Sequence, residues 1–309
     1  MMRTMALALA VLAAFAGGEA LAQSERQQRA SCAAGSSVAA NLRIGACTAV
    51  IQAGRENAAN RAAAYNNRAN AYTELGQLDR AIQDYDQAIR LSANYAAAYN
   101  NRGAAYAAKG QPDRAIQDYD QALRLNPADQ DAYYNRGSAY ADKRQYDRAI
   151  QDYDQAIRRN PAYGRAFVAR GSVYAEKGDY QRAIQDYDQA IRLNPSYADA
   201  LSNRCWARAV LGRLVEALAD CEQSLRLRPG DAIALDNRGF VHLKAGRLDA
   251  AIADYNAAIA LDARSASALY GRGVAWRRKG NAAGGAADIA AATAIQGDIA
   301  AQMARYGVR

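Results

Sequence analysis

The sequence predicts an all-α chain built as a solenoid of about seven helix–turn–helix units of 34 residues each. Three observations predict it. The string Gln-Asp-Tyr-Asp-Gln-Ala begins at Gln83, Gln117, Gln151 and Gln185, 34 residues apart each time, and a fixed period of this length marks a repeat array. Within each period the apolar residues fall at helical spacing. Composition agrees: 20 tyrosines stand against 3 phenylalanines and 5 prolines. Abundant alanine suits close-packed helices and not a sandwich or barrel.

The chain opens with a basic start, Met1–Arg3, then an uncharged apolar run, Ala6–Gly18, then the small residues Ala20-Leu21-Ala22. This is the layout of a secretory signal peptide over residues 1–22, cleaved between Ala22 and Gln23. The alternative, an uncleaved anchor, has an apolar run shorter than the roughly 20 residues a spanning helix needs. No later stretch is apolar enough to span, so the mature chain is expected to be soluble, with no integral membrane segment, and periplasmic or secreted.

Residues 23–61 read as an N-terminal capping hairpin. Ile44, Cys47, Val50 and Ile51 mimic the second helix of a unit, which makes 28–57 an atypical first hairpin; Gln23–Arg29 is polar and reads as loose. In an oxidising compartment four cysteines read as disulfides. Cys32 and Cys47 lie 15 apart, Cys205 and Cys221 16 apart, each pair across one hairpin. Of the three possible connectivities these local pairings are favoured, each stabilising by about 3 kcal/mol; four buried free thiols are the alternative. No C-x-x-C is present, so neither a redox motif nor a zinc knuckle is indicated.

Seven units fill 62–299 without an insertion: 62–95, 96–129, 130–163, 164–197, 198–231, 232–265 and 266–299. In 96–129, Tyr99, Arg102, Gly103 and Tyr106 fall at helical spacing on a first helix. Gly110 tolerates the left-handed backbone that ends it, and Asp113 places a negative charge near the start of the second. Ala115, Ile116, Tyr119, Ala122 and Leu123 form the second apolar stripe, and Pro127 closes the unit. One such hairpin cannot bury both faces and must stack on its neighbours.

These residues resemble the tetratricopeptide repeat family, whose 34-residue unit carries small residues at positions 8, 20 and 27 and aromatic residues at 11 and 24. Position 8 here is Ala69, Gly103, Gly137, Gly171, Cys205, Gly239 and Gly273; position 20 is Ala81, Ala115, Ala149, Ala183, Ala217, Ala251 and Gly285. The resemblance implies a right-handed superhelical array with a concave groove that receives a peptide or protein segment. Departures gather toward the C-terminus. Arg208 and His242 replace the aromatic at position 11, Cys221 replaces it at 24, and Gly284-Gly285 fall inside the last second helix. Glycine there costs roughly 1 kcal/mol relative to alanine, so the seventh unit reads as a frayed cap. The closing segment 300–309, with a helix starting near Asp298, reads as a C-terminal cap with Ile299 and Met303 on its inner side.

Two charged positions recur without exception. Position 7 is Arg68, Arg102, Arg136, Arg170, Arg204, Arg238 and Arg272; position 23 is Asp84, Asp118, Asp152, Asp186, Asp220, Asp254 and Asp288. This pattern predicts a ladder of bidentate pairs that fixes helix orientation.

The same reading excludes most chemistry. One histidine removes His-based triads and His-rich metal sites, and no nucleophile elbow, P-loop or metalloprotease motif occurs. No catalytic residue, metal or cofactor is nominated, and the chain reads as a non-enzyme. His242 reads as a core substitute for tyrosine. The net charge of +8 sits at the ends, because residues 62–263 hold 26 basic and 26 acidic side chains. That balance offers no continuous phosphate track, so nucleic-acid binding is not expected. The basic C-terminal end (Arg272, Arg277, Arg278, Lys279, Arg305, Arg309) would attract an acidic partner or anionic surface; a solvated end cap accounts for the same residues.

The remaining functional surface is the groove that the resemblance implies, lined by first-helix positions. Position 6 is Asn67, Asn101, Asn135, Ala169, Asn203, Asn237 and Gly271, and Asn66 and Asn100 at position 5 with Asn70 at position 9 extend the series. A carboxamide both donates and accepts, so such a ladder suits the backbone of an extended peptide; bonding to water is the plainer account. Position 5 holds Asn66, Asn100, Tyr134, Val168, Ser202, Asp236 and Tyr270. Without a lysine there, the family's carboxylate clamp is not expected. Trp206 and Phe240 make the later groove more apolar. Two functions follow: an interaction scaffold of the cell envelope for a protein or peptide partner, or a structural element whose near-identical units 96–197 self-associate.

Overall fold

The structure, a computed structural model, describes residues 23–308. The expected leader over 1–22 and the terminal Arg309 lie outside them. Helix α1 covers residues 23–33, and α2, Ala40–Ala53, follows a 3-10 turn at Gly35–Ser37. Helical pairs then succeed one another along the chain: α3 Ala58–Glu74 and α4 Leu78–Leu91, α5 Ala96–Ala108 and α6 Pro112–Leu125, α7 Gln130–Asp142 and α8 Tyr146–Arg159. They continue with α9 Gly164–Glu176 and α10 Tyr180–Leu193, α11 Ala198–Val210 and α12 Leu214–Leu227, α13 Ala232–Lys244 and α14 Leu248–Leu261, α15 Ala266–Arg278 and α16 Ala282–Ile295. The short α17, Ile299–Arg305, ends the series. No strand occurs among the described residues. From α5 onward every first helix starts at the beginning of a 34-residue frame; α3 starts earlier, at Ala58, where the Asn57 side chain accepts from the Asn60 amide at 2.9 Å.

The chain divides into two compact units, residues 1–148 and 149–309, the division falling inside α8. Each has its own core. In the first, Ala69, Ala81, Ile82, Tyr85 and Ala105 pack together, and Ala115, Tyr119 and Ala139 form a neighbouring cluster. In the second, one apolar cluster runs from Cys205 and Cys221 through Phe240, Val241, Leu243 and Tyr255 to Ile299, Met303 and Val308.

Small residues at position 8 make these cores possible. A Cβ on Gly103 would lie 2.7 Å from the Tyr119 ring, so the tyrosine at position 24 occupies the space a side chain would need. In 198–231 the same two positions are Cys205 and Cys221, joined by a disulfide. A covalent bond there replaces the tyrosine-on-glycine contact. Cys32 and Cys47 form the second bridge, between α1 and α2.

The turn inside each pair needs a left-handed residue. Gly76, Gly110, Gly178, Gly212, Gly246 and Gly280 supply it, with φ between 70° and 92°. In 130–163 the corresponding residue is Arg144, with φ 57°, the non-glycine exception among the described residues.

The structure changes two expectations. Residues 23–29 are helical and not loose: Glu25 pairs with Arg55, and Arg29 with Glu56 at 2.7 Å, which ties α1 to the link between α2 and α3. The last hairpin is not frayed, because its glycines are closing points. A Cβ on Gly285 would lie 2.6 Å from the Gly273 carbonyl and 2.4 Å from Arg277 Cγ. The backbones of α15 and α16 therefore approach more closely than alanine would permit, and the Asn281 side chain caps α16 by accepting from the Gly284 amide at 2.9 Å.

Candidate functional site

The Arg–Asp ladder sets the frame on which the first-helix side chains stand. Arg102 donates through Nε to Asp118 Oδ2 at 2.8 Å and through Nη2 to Oδ1 at 2.6 Å. The same bidentate pair joins Arg68 to Asp84, Arg170 to Asp186, Arg204 to Asp220, Arg238 to Asp254 and Arg272 to Asp288. Five of these six aspartates are buried, and Asp288 is half-buried. The Asp118 and Asp86 carboxylates drive the Arg102 pKa well above its ordinary value, against the opposing effect of burial.

Four of the arginines have a further bond to an aspartate of the preceding repeat that sequence reasoning missed, whereas Arg238 bonds Asp254 alone among the described residues. Nη1 of Arg102, Arg136 and Arg204 donates at 2.6 Å to Asp86, Asp120 and Asp188, the second aspartate of the preceding Gln-Asp-Tyr-Asp-Gln-Ala string; Arg170 reaches Asp154 in the same way. The recurrence of that second aspartate was the available signal. One guanidinium thus locks two helices of its own repeat and one of the repeat before it.

In the first unit the asparagines bond to one another. Asn101 Nδ2 donates to Asn66 Oδ1 at 3.1 Å and to Asn70 Oδ1 at 3.2 Å, and Asn135 Nδ2 donates to Asn100 Oδ1 at 3.0 Å. Asn70 also accepts from the Tyr85 hydroxyl at 2.6 Å. Position 6 of one repeat therefore ties back to position 5 of its predecessor, and Asn66 is buried. Asn67 accepts from Asn66 Nδ2 at 3.5 Å and lines a cavity of about 200 Å³ together with Cys32, Val50, Glu56 and Asn60.

The second unit contains a larger cavity, about 350 Å³. Asn203 and Trp206 on α11, Asp236 and Asn237 on α13 and Ser267 on α15 line one side; Gln302, Met303 and Tyr306 from the C-terminal segment line the other. Asn237 keeps the tie-back, donating to Ser202 Oγ at 3.0 Å and to its carbonyl at 3.2 Å. Asn203 has Val168 at the matching position, which offers no side-chain acceptor. Phe240 is buried in the apolar cluster beneath and does not line the cavity; the Lys244 ammonium lies over its ring at 5.4 Å.

The C-terminal segment turns an open groove into a cavity. Ile299, Met303 and Val308 are buried, and Tyr306 meets Trp206 edge-on, with ring centroids 5.2 Å apart. Lys244 Nζ donates to the carbonyls of Tyr306 at 3.0 Å and Val210 at 3.2 Å; burial lowers the pKa of this amine. At the basic end, Arg272 is held by Asp288 and Asn256, and Lys279 pairs with Asp249.

Two groups beside the cavity are unusual. Asp236 is open to the cavity and otherwise enclosed by protein, and burial pushes its carboxyl up to about 6, with Ser267 pulling it part of the way back. The Tyr255 hydroxyl is buried without a partner. In earlier repeats this hydroxyl bonds a polar residue at position 9, Asn70 or Ser172; Phe240 now occupies that position. His242 is half-buried, 3.7 Å from Asp254, and burial lowers its pKa. Among the described residues no group of acidic, cysteine or histidine side chains could hold a metal ion, and no helix is long and apolar enough to cross a membrane.

Models of the tetratricopeptide repeat match residues 134–195, 168–232 and 96–129, and a TPR repeat model matches 69–110 and 243–280. The chain belongs to the tetratricopeptide repeat family. No curated protein matches it significantly. Among solved structures, a tetratricopeptide repeat protein from Parabacteroides merdae is 21% identical over 75% of this chain and 92% of its own, with a TM-score of 0.62. The APC/C hetero-tetramer Cut9–Hcn1 is 17% identical over 76% of this chain and 48% of its own, TM-score 0.64. YrrB, described as a TPR protein with an unusual peptide-binding site, is 26% identical over 60% of this chain and 95% of its own, TM-score 0.49. The first two likenesses show the tetratricopeptide fold.

Proposed function

We propose that the chain is a non-enzymatic interaction scaffold of the cell envelope that receives an extended peptide or protein segment on its first-helix face. The observation that carries this reading is the cavity in the second unit. It brings Asn203, Trp206 and Asn237, three groove positions from two repeats, to one concave surface of about 350 Å³. A cavity with an aromatic wall and a few convergent polar groups is the usual form of a binding site. Two disulfides support an oxidising compartment, in keeping with the leader expected from the sequence.

Binding of randomised blocked hexapeptides to the purified chain, followed by fluorescence anisotropy, tests the reading. Trp206→Ala should weaken capture at least tenfold, whereas Leu42→Ala, an exposed residue on α2, should leave it unchanged. Capture that ignores Trp206→Ala would remove this face as the binding surface.

A further inference from the structure

The cavity in the second unit holds a carboxylate without a counter-ion. Asp236 Oδ2 accepts from Ser267 Oγ at 2.5 Å, and no ion pair among the described residues reaches it. No lysine, arginine or histidine is among the described residues that line the cavity. Its other polar groups are rich in acceptors. Asn237 has committed its Nδ2 to Ser202, which leaves its carbonyl oxygen, and Glu176 stands exposed on α9 at the rim. Beside them lie apolar surfaces suited to a hydrocarbon stem: the Trp206 and Tyr306 rings and the exposed Ile233. An enclosed carboxylate left unpaired is unfavourable, and a matching cation relieves that penalty.

We propose that this cavity takes the side chain of a lysine in a peptide ligand, with the ammonium against Asp236 and the methylene stem along Trp206 and Ile233. The inference rests on the groove-binding reading above and names what that groove selects. Ammonium fits better than guanidinium. Ser267 already holds one carboxylate oxygen, so the planar fork of arginine lacks a free bidentate partner, whereas a compact ammonium can share three donors between Asp236 and the Asn237 carbonyl. This is the reverse of a lysine-built clamp for a carboxylate: the acidic group belongs to the protein and the cation to the ligand.

The test uses four fluorescein-labelled pools of blocked hexapeptides, randomised except for a central lysine, N-acetyl-lysine, norleucine or arginine. Anisotropy should show the lysine pool binding the wild-type chain at least tenfold more tightly than the other three. Asp236→Asn, nearly isosteric and relieved of an enclosed charge, should abolish the preference for the lysine pool over the norleucine pool. Equal binding of the lysine and norleucine pools by the wild-type chain would overturn the inference and leave the groove reading standing; so would a lysine preference that survives Asp236→Asn. Arginine binding as tightly as lysine would overturn the ammonium assignment. Failure of every pool to bind would overturn both readings. The comparison of lysine with acetyl-lysine needs no variant and decides the matter even if Asp236→Asn misfolds.

Discussion

Burial holds the Asp236 carboxyl at about 6, above the ordinary aspartate value of 3.8. A carboxyl whose pKa is raised by folding binds its proton more tightly in the folded chain. Its ionisation therefore destabilises the fold as pH climbs through that window, and the penalty is absent below it. Asp236→Asn should stabilise the chain by up to about 3 kcal/mol near neutral pH and by nothing below the ordinary aspartate range. Urea unfolding at both pH values checks this, and an equal gain at both would contradict it. Arg144 supplies a second test at this scale. It holds a left-handed φ of 57° where the other repeats with a described positive φ use glycine. Because that backbone costs a residue with a Cβ roughly 1 kcal/mol, Arg144→Gly should raise stability by about 1 kcal/mol, read as a higher urea midpoint with an unchanged slope.

Helical pairs are fastened in two interchangeable ways. In 96–129 a tyrosine ring fills the space over Gly103; in 198–231 a disulfide spans the same positions. If the two are equivalent, the double variant Cys205→Gly with Cys221→Tyr should restore the packed form and make this hairpin indifferent to reducing agent. The parent chain should lose about 3 kcal/mol from this bridge on reduction. Thermal unfolding with and without dithiothreitol, on a background in which Cys32 and Cys47 are both replaced by alanine, measures the difference. A double variant that unfolds more readily than the reduced parent would show that the bridge does more than stand in for the ring. Pairs such as Arg102–Asp118, Arg170–Asp186 and Arg204–Asp220 admit no such exchange, because their arginines also serve the preceding repeat.

At the scale of the whole molecule, the C-terminal segment completes the second unit. A chain ending at Ile295 loses Ile299, Met303, Tyr306 and Val308, all in contact with the apolar cluster. In a Trp276→Phe background its Trp206 emission should shift to the red as Tyr306 leaves the ring. Unchanged emission would contradict the packing. Much of this architecture was legible in the sequence, because spacing within one hairpin is a local property: the frames, the small residues at position 8 and the pairing of Arg102 with Asp118 all repeat. What was not legible depends on residues outside the repeat or far apart in the chain. The helix at 23–33 is held by Arg55 and Glu56, and the cavity wall is Tyr306 against Trp206. Asp236 was visible merely as a missing lysine, since its isolation follows from what fails to approach it. The asparagine series was legible as a ladder, but its inward bonds depend on which residue the preceding repeat presents.

The backward reach of the arginines gives the series a direction. Arg102, Arg136, Arg170 and Arg204 each find an aspartate behind them, Arg272 finds Asn256, and Arg68, with no repeat behind it, settles for Thr48 on α2. At the far end, the place where a successor's arginine would look for its acceptor is Ala290. A new hairpin joined after α16 would arrive without this backward bond, which Arg238 inside the series also lacks. Lengthening of this protein, by evolution or by design, should therefore proceed by duplicating an interior unit and not by adding to its tail.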